Sequence, residues 1–443
     1  MTSRSTNPGE GTERHPTTRA TVRPFTPKPV PPEVVTSPRI EQLARAVAAD
    51  GSEGLVRFWN EVQDHGTPLV EAIPGDAEHC IVTFLWRDAG AANAVLLVAN
   101  KFTDASVLDA SLMEQLAGTD LWHRSYRVRT DWRSAYRIAP LERPLDASAE
   151  ATEIERWRAF IGRGKLDTFN PKTCPSSAGG DMMLSTFSLV ELPDAPPQPW
   201  LVPDSGAAAG TMTEFRFASR ALRNERPVWV YTPAGYEHGG AAYDLTVLLD
   251  GEWWAQSLSI AVTLDNLIAA GVVPPMVVVM PGAIDVQARL RELTCNPVFV
   301  EFLVAELLPH VAARWMVSAE PMRTIIAGQS LGGLTAAFAG LHAPERFGNV
   351  LAQSGSFWWK HGSEFDTEAE WLTRQYAITP KPPLRFYLEA GLQEWIILPP
   401  TRHLRDVLEA KGYDIVYREY NGGHDAACWR GSIADGLIAL ASR

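Results

Sequence analysis

The run Thr324-Ile-Ile-Ala-Gly-Gln-Ser-Leu-Gly-Gly constrains this chain more than any other stretch. An apolar, β-type segment enters a Gly-x-Ser-x-Gly pentapeptide, and Leu331, Leu334, Phe338 and Leu341 then recur at helical spacing until Pro344 ends the pattern. A strand that turns sharply into a helix lifts its serine hydroxyl clear of the backbone, which makes Ser330 a candidate nucleophile. Such a turn leaves no room for side chains near the backbone, and Gly328, Gly332 and Gly333 suit it. The strand itself, Thr324 to Ala327, is apolar enough to lie inside a parallel sheet.

The rest of the C-terminal half supplies that sheet. Candidate strands begin at Pro227, Leu245, Met276, Val350, Leu384 and Ile415, with helical patterns at Leu258 to Ala270, Val298 to Leu308 and Leu404 to Lys411. Alternating β and α elements predict an α/β hydrolase-type domain, a mostly parallel sheet with helices on both faces, over residues 210–443. The preceding half reads differently. Residues 38–65 carry apolar positions for two short amphipathic helices separated by Gly51. Strand-like runs follow at Ile81, Ala94, Ser125 and Ala135, so an N-terminal β-sandwich of immunoglobulin-like type is expected within residues 37–195. The stretch from Pro171 to Ala209, rich in Pro, Gly, Ser and Ala, reads as the linker, and the proline-rich residues 1–36 as a disordered leader.

Composition excludes several partners. A length of 443 residues suggests two or three domains at about 150 residues each. The net charge of -12 disfavours nonspecific binding to nucleic acid or to an anionic membrane surface. Cys80, Cys174, Cys295 and Cys428 lack metal-ligand or redox spacing and read as reduced thiols. No apolar run reaches membrane-spanning length, and the polar N-terminus lacks the apolar core of a secretory signal. A cytoplasmic protein without membrane insertion, resident metal or cofactor is expected; its oligomeric state is open.

A serine nucleophile requires a base, an acid to orient that base, and donors for an oxyanion. The α/β-hydrolase order is Ser, acid, His. His424 follows the last predicted strand in Asn421-Gly-Gly-His-Asp, where the glycines allow the loop to bend over the sheet. Glu394, in the loop after the penultimate strand, is the preferred acid, with Glu389 and Asp425 as alternatives. The backbone N–H of Leu331 is the expected first oxyanion donor, and that of Gly251 or Glu252 the second.

These residues sit in an ordered series of motifs that resembles the enterochelin esterases. The series comprises Asp250-Gly-Glu-Trp, Arg289-Leu-Arg-Glu-Leu with Cys295-Asn, and Glu306-Leu-Leu-Pro. It continues through Gly328-Gln-Ser-Leu-Gly-Gly, Gln353-Ser-Gly-Ser-Phe-Trp-Trp, Glu389-Ala-Gly-Leu-Gln-Glu and Gly422-Gly-His-Asp-Ala-Ala-Cys-Trp-Arg-Gly. In the β-rich half, Val82-Thr-Phe-Leu-Trp-Arg, Gly118-Thr-Asp-Leu-Trp, Ser125-Tyr and Asp131-Trp-Arg look like that family's N-terminal domain. The resemblance implies hydrolysis of the lactone esters of a ferric catecholate siderophore, with iron arriving only as part of the substrate. A bulky aromatic anion favours guanidinium groups and indole faces. Arg289, within a family motif, is the preferred anion contact; Arg430, Trp253 and Trp359 are further candidates. The same catalytic order would also serve a feruloyl or acetyl esterase whose β-domain binds carbohydrate, the alternative reading.

Overall fold

The computed structural model describes residues 31–104, 108–142, 160, 162–177, 184–362 and 369–441. Most of the leader, residues 1–30, lies outside the described residues. Its last residues are ordered: Glu33–Val34 pairs antiparallel with Arg127 and Tyr126.

Local signals set the two N-terminal helices. Pro38–Asp50 starts at Ser37, whose Oγ accepts the Ile40 N–H at 3.2 Å, with Pro38 pre-set for the first turn. Gly51, at a φ of 59°, ends it and leads into Ser52–His65. Their apolar faces, Ile40, Leu43, Phe58, Trp59 and Val62, pack with Leu69, Leu85 and Leu121.

The helices cover one face of an antiparallel sheet ordered Glu33–Val34, Leu121–Arg129, Asp76–Arg87, Leu69–Ile73. A second antiparallel sheet runs Ala94–Ala99, Arg133–Leu141, Ser185–Glu191, Thr173–Ser176. Alternating residues of both, among them Val82, Phe84, Tyr126, Leu97, Tyr136 and Ile138, meet around the fully buried Trp132. This is a two-sheet sandwich. Two of its strands, Thr173–Ser176 and Ser185–Glu191, lie inside the stretch expected to be linker. Pro175 and the many Ser and Thr residues hide them, yet an edge strand tolerates proline, Val190 turns into the sandwich core, and Phe187 and Leu189 are buried with Ala427 of the C-terminal domain.

The C-terminal domain is built on an eight-stranded sheet in the order Thr211–Ser219, Asn224–Thr232, Met276–Pro281, Asp244–Leu248, Thr324–Gln329, Asn349–Gln353, Arg385–Gly391, Asp414–Tyr420. The first two strands are antiparallel additions; the other six run parallel. Separate apolar cores cover the two faces, as the α/β-hydrolase reading requires. Thr211–Ser219 had no sequence signal because it is an edge strand whose residues are largely exposed. The segment expected as one helix from Val298 to Leu308 is Pro297–Glu301, a wider π turn over Phe302–Leu307, then Leu308–Ala312. Pro309 accounts for the widening, since it has no N–H for the residue four before it and its ring crowds that carbonyl. Among the described residues no single helix is long and apolar enough to cross a membrane.

Candidate active site

Ser330 stands between the buried strand Thr324–Gln329 and the helix Leu331–His342. Its φ of 57° and ψ of -119° form a conformation that costs an L-residue about 1–3 kcal/mol. Backbone hydrogen bonds hold it there. Ser330 N–H donates to Gln353 O at 3.0 Å, and its carbonyl accepts from Ser356 N at 2.9 Å. The helix behind it is buried nearly all round, so Gly332 and Gly333 come close to Leu249, Asp250 and Gly355, and larger residues would push the elbow outward. The Leu331 N–H lies in the first helical turn, where no carbonyl four residues back within the helix can accept it.

His424 follows the last strand, Asp414–Tyr420, and Glu394 follows Arg385–Gly391, so both loops open at the same carboxyl edge of the sheet as Ser330. His424 Nδ1 lies 2.9 Å from Glu394 Oε1. The Glu394 side chain is fully buried, and its other oxygen accepts the Gly391 N–H at 3.1 Å. A carboxylate on Nδ1 fixes the tautomer that leaves Nε2 able to accept a proton. The indole of Trp429 meets the imidazole edge-on, with centroids 4.7 Å apart, and donates to Ser354 Oγ at 2.9 Å. Ser354 and Ser356 flank Gly355 directly after the strand next to Ser330, so the nucleophile and base loops share one support. Ser330 Oγ lies 3.4 Å from Ser356 Oγ and is not hydrogen-bonded to His424.

The two alternative acids have other partners. Glu389 is a strand residue buried against Gln353 Nε2, Ser432 Oγ and Tyr387 OH, at 2.9, 2.6 and 3.0 Å. Burial pushes its carboxyl up to about 7, against the pull of those three donors. Asp425 accepts from Ala135 N at 2.6 Å and Ser176 Oγ at 2.8 Å, both in the sandwich, and burial raises its pKa as well. Neither carboxylate hydrogen-bonds His424.

Arg289 forms an ion pair beneath the elbow. Its Nε and Nη2 bind Asp250 Oδ1 and Oδ2 at 2.6 and 2.7 Å, a two-pronged pair with a carboxylate that is 1% exposed. A buried Asp250 beneath the elbow needs a counter-ion, and Arg289 supplies it while 17% of its own side chain stays exposed. Beside this pair the Glu252 carboxyl is pushed up to about 7 by burial, with the neighbouring Asp250 carboxylate adding to the rise. Glu252 Oε2 accepts from Ala283 N at 3.0 Å. Gly251 packs so tightly on the Met280 backbone that a side chain there has no room. Trp253 opens a π turn, Trp253–Ser257, immediately after these residues. Trp359 is half-buried, edge-on to Trp371, and Arg430 donates through Nε to Gln198 Oε1 at 3.3 Å.

The Asn421-Gly-Gly-His-Asp loop was expected to need glycine for bending. Neither Gly422 nor Gly423 has a positive φ. Both are small because the loop is pressed against the sandwich: a Cβ on Gly423 collides with the Asn100 carbonyl, and one on Gly422 with Cys428 and Arg133. The sandwich residues Asn100, Arg133 and Ala135 therefore border the site, and no spacing in the sequence links them to residues 421–425. All four cysteines are buried and unpaired. Among the described residues no cluster of His, Cys, Asp and Glu could hold a metal ion.

Comparison with known proteins agrees with both halves. Residues 219–440 match the family model for a putative esterase, and residues 81–201 match that of the enterochelin esterase N-terminal domain. The chain is 35% identical over 409 residues to the iron(III) enterobactin esterase of Dickeya dadantii, covering 86% of this chain and 91% of the relative. It is 29% identical to the iron(III) salmochelin esterase of Escherichia coli O6:H1, covering 90% and 97%. The crystal structure of the enterobactin esterase from Shigella flexneri in the presence of enterobactin superposes with a TM-score of 0.72 at 35% identity, covering 85% of this chain and 96% of that one. With both domains matched and the motifs placed on one sheet edge, the chain belongs to the enterochelin esterase family.

Proposed function

We propose that this protein is a serine esterase that hydrolyses the lactone ester bonds of a ferric catecholate trilactone siderophore of the enterobactin type, releasing its iron in the cytoplasm. The observation that carries the reading is the His424–Glu394 pair at the same sheet edge as the strained Ser330, in a chain matched over both domains by iron(III) enterobactin esterases. The feruloyl or acetyl esterase alternative rests on a distant likeness covering 31% of the chain. It also calls for a detachable carbohydrate module, whereas the sandwich here is hydrogen-bonded to the His424 loop.

In this reading the Ser330 hydroxyl leaves Ser356, gives its proton to His424 Nε2 and attacks a lactone carbonyl. The oxyanion settles between the Leu331 N–H and that of Gly251 or Glu252. The imidazolium formed is matched by the buried Glu394 carboxylate, whose charge has no other titratable partner at hydrogen-bond distance among the described residues. His424 returns the proton to the departing seryl oxygen, and a water then cleaves the acyl-Ser330 ester by the same steps. The iron and its catecholates are substrate, and no cofactor takes part. Trp253, Trp359 and Arg430 are proposed contacts for that aromatic anion. The net charge of -12 supports a role without nucleic acid.

A substrate panel tests the reading. Wild-type protein turns over ferric and iron-free trilactones, and a fluorophosphonate labels Ser330. Turnover of feruloylated oligosaccharide with the trilactone untouched overturns it in favour of the alternative.

A further inference from the structure

The His424 loop is held by the other domain. Asn100, in the turn after the sandwich strand Ala94–Ala99, donates its Nδ2 to the carbonyl of His424 itself at 2.8 Å. The Asn100 N–H binds Ala135 O at 3.3 Å, and the Ala135 N–H binds the Asp425 carboxylate at 2.6 Å. Ser176 Oγ takes the second Asp425 oxygen at 2.8 Å. At the loop's start, Arg133 N–H donates to Asn421 O at 3.1 Å, and Asn421 Nδ2 donates to Asp131 Oδ1 at 2.7 Å. Gly423 lies flat against Asn100 in a space that admits no side chain. The imidazole has its own contacts in the C-terminal domain, Glu394 and the edge of Trp429, but these set only the ring's orientation.

We infer that Asn100 is a positioning residue for His424, and that the N-terminal domain completes the catalytic base rather than merely enclosing substrate. This rests on the reading of His424 as the base. Catalytic placement has a narrow tolerance. A shift of about 1 Å in a catalytic group costs about 100-fold in rate, and a loop with two adjacent glycines has little stiffness of its own. The amide of Asn100 grips the one carbonyl whose displacement moves the imidazole directly. Asp425 does the same for the next residue, which explains why a carboxylate adjoining the base is turned away from it. Among the described residues, three of these hydrogen bonds between the sandwich and the loop involve a backbone atom, through His424 O, Ala135 N and the Arg133–Asn421 pair, a form suited to register rather than to ligand recognition.

The test is a double-mutant cycle in the full-length chain. Asn100→Ala is made alone and together with His424→Ala, and kcat and KM are measured with the trilactone and with a small activated ester such as p-nitrophenyl butyrate. Asn100→Asp, isosteric but unable to donate, is the second variant should Asn100→Ala fold poorly, and Asn100→Gln, which keeps the amide, tests rescue. The expected result is a kcat lowered about 10- to 100-fold on both substrates, with KM unchanged, partial recovery in Asn100→Gln, and no further loss in the His424→Ala background. An unchanged kcat, a change confined to KM, or an equal loss in the His424→Ala background overturns the inference. Those outcomes leave the esterase reading intact as long as His424→Ala itself is severely impaired; a fully active His424→Ala removes both.

Discussion

The proposed nucleophile and the proposed base are anchored in opposite ways. Ser330 is fixed by its own domain: the adjacent strand supplies Gln353 O, the loop beyond supplies Ser356 N, and small residues beneath keep the elbow tight. His424 receives its orienting carboxylate from its own domain but its backbone restraint from the sandwich, through Asn100, Ala135, Ser176 and Arg133. A strained residue must be over-determined locally to persist. A base at the end of a glycine loop has no strain to store and needs only to be held in place, which a second domain can do. On the proposed roles, the contrast gives the second domain a reason to be there even though the proposed acyl-transfer groups all come from one domain.

The largest effect that sharpens this contrast is at the orienting acid. Glu394→Gln leaves shape but removes the charge opposite Nδ1, and kcat should fall about 10³- to 10⁴-fold with the fold intact. Glu389→Gln, changed in the same way on the strand that leads into this loop, should leave kcat within about threefold, because its carboxylate has no bond to His424. Steady-state kinetics on the trilactone separates them, and equal losses would break the assignment of the acid.

Next is the interdomain anchor. Asp425→Asn presents an amide to donors on Ala135, Ser176 and Ala427, and should lower stability by about 2–4 kcal/mol in urea unfolding. It should also lower kcat more than it raises KM. A stability loss with normal kcat would mean that the anchor holds the domains together but does not place the base.

A smaller effect is expected at the pair under the elbow. Arg289→Lys replaces a two-pronged fork by a point charge, and should cost about 1–3 kcal/mol of stability with KM unchanged. A tenfold rise in KM at unchanged stability would give Arg289 the role of anion contact.

The mildest test is a pH profile. The Glu389 carboxyl titrates near 4.5 in an unfolded chain and is pushed up to about 7 by burial in the fold. Between those values the folded state binds more protons, so stability falls as pH rises from 4.5 toward 7 and stays lower above it. The raised Glu252 carboxyl acts in the same direction. Glu389→Gln removes part of this slope, so its stability relative to wild type should rise by about 1–3 kcal/mol on going from pH 5 to pH 8, whatever the offset from its altered hydrogen bonds. Parallel stability profiles for the two proteins would contradict this.

How much of this could be read in the sequence follows the same division. The strand–Ser330–helix turn, the parallel sheet, the order Ser330, Glu394, His424 and the sandwich core are written in local patterns of hydrophobicity and glycine. Ser354 and Ser356 lie in a family-like motif, yet their roles beside Ser330 and Trp429 come from the structure alone. Asn100 was not legible, because a side-chain amide facing a backbone carbonyl 324 residues away leaves no periodic trace. The Arg289–Asp250 pair was hidden for a related reason: an arginine in a family motif serves equally well for ligand or for buried counter-ion, and no spacing links residues 250 and 289. The glycines at 422 and 423 were recognised as necessary, but for bending rather than for close approach.

The central claim is tested most directly by mass-spectrometric product analysis of a ferric catecholate trilactone incubated with wild-type protein and with Ser330→Ala. The account predicts ring-opened and shorter catechoyl-serine products from the wild type, with the rate reduced at least about 10⁴-fold in the variant. Intact trilactone in both reactions, or equal hydrolysis in both, would contradict it.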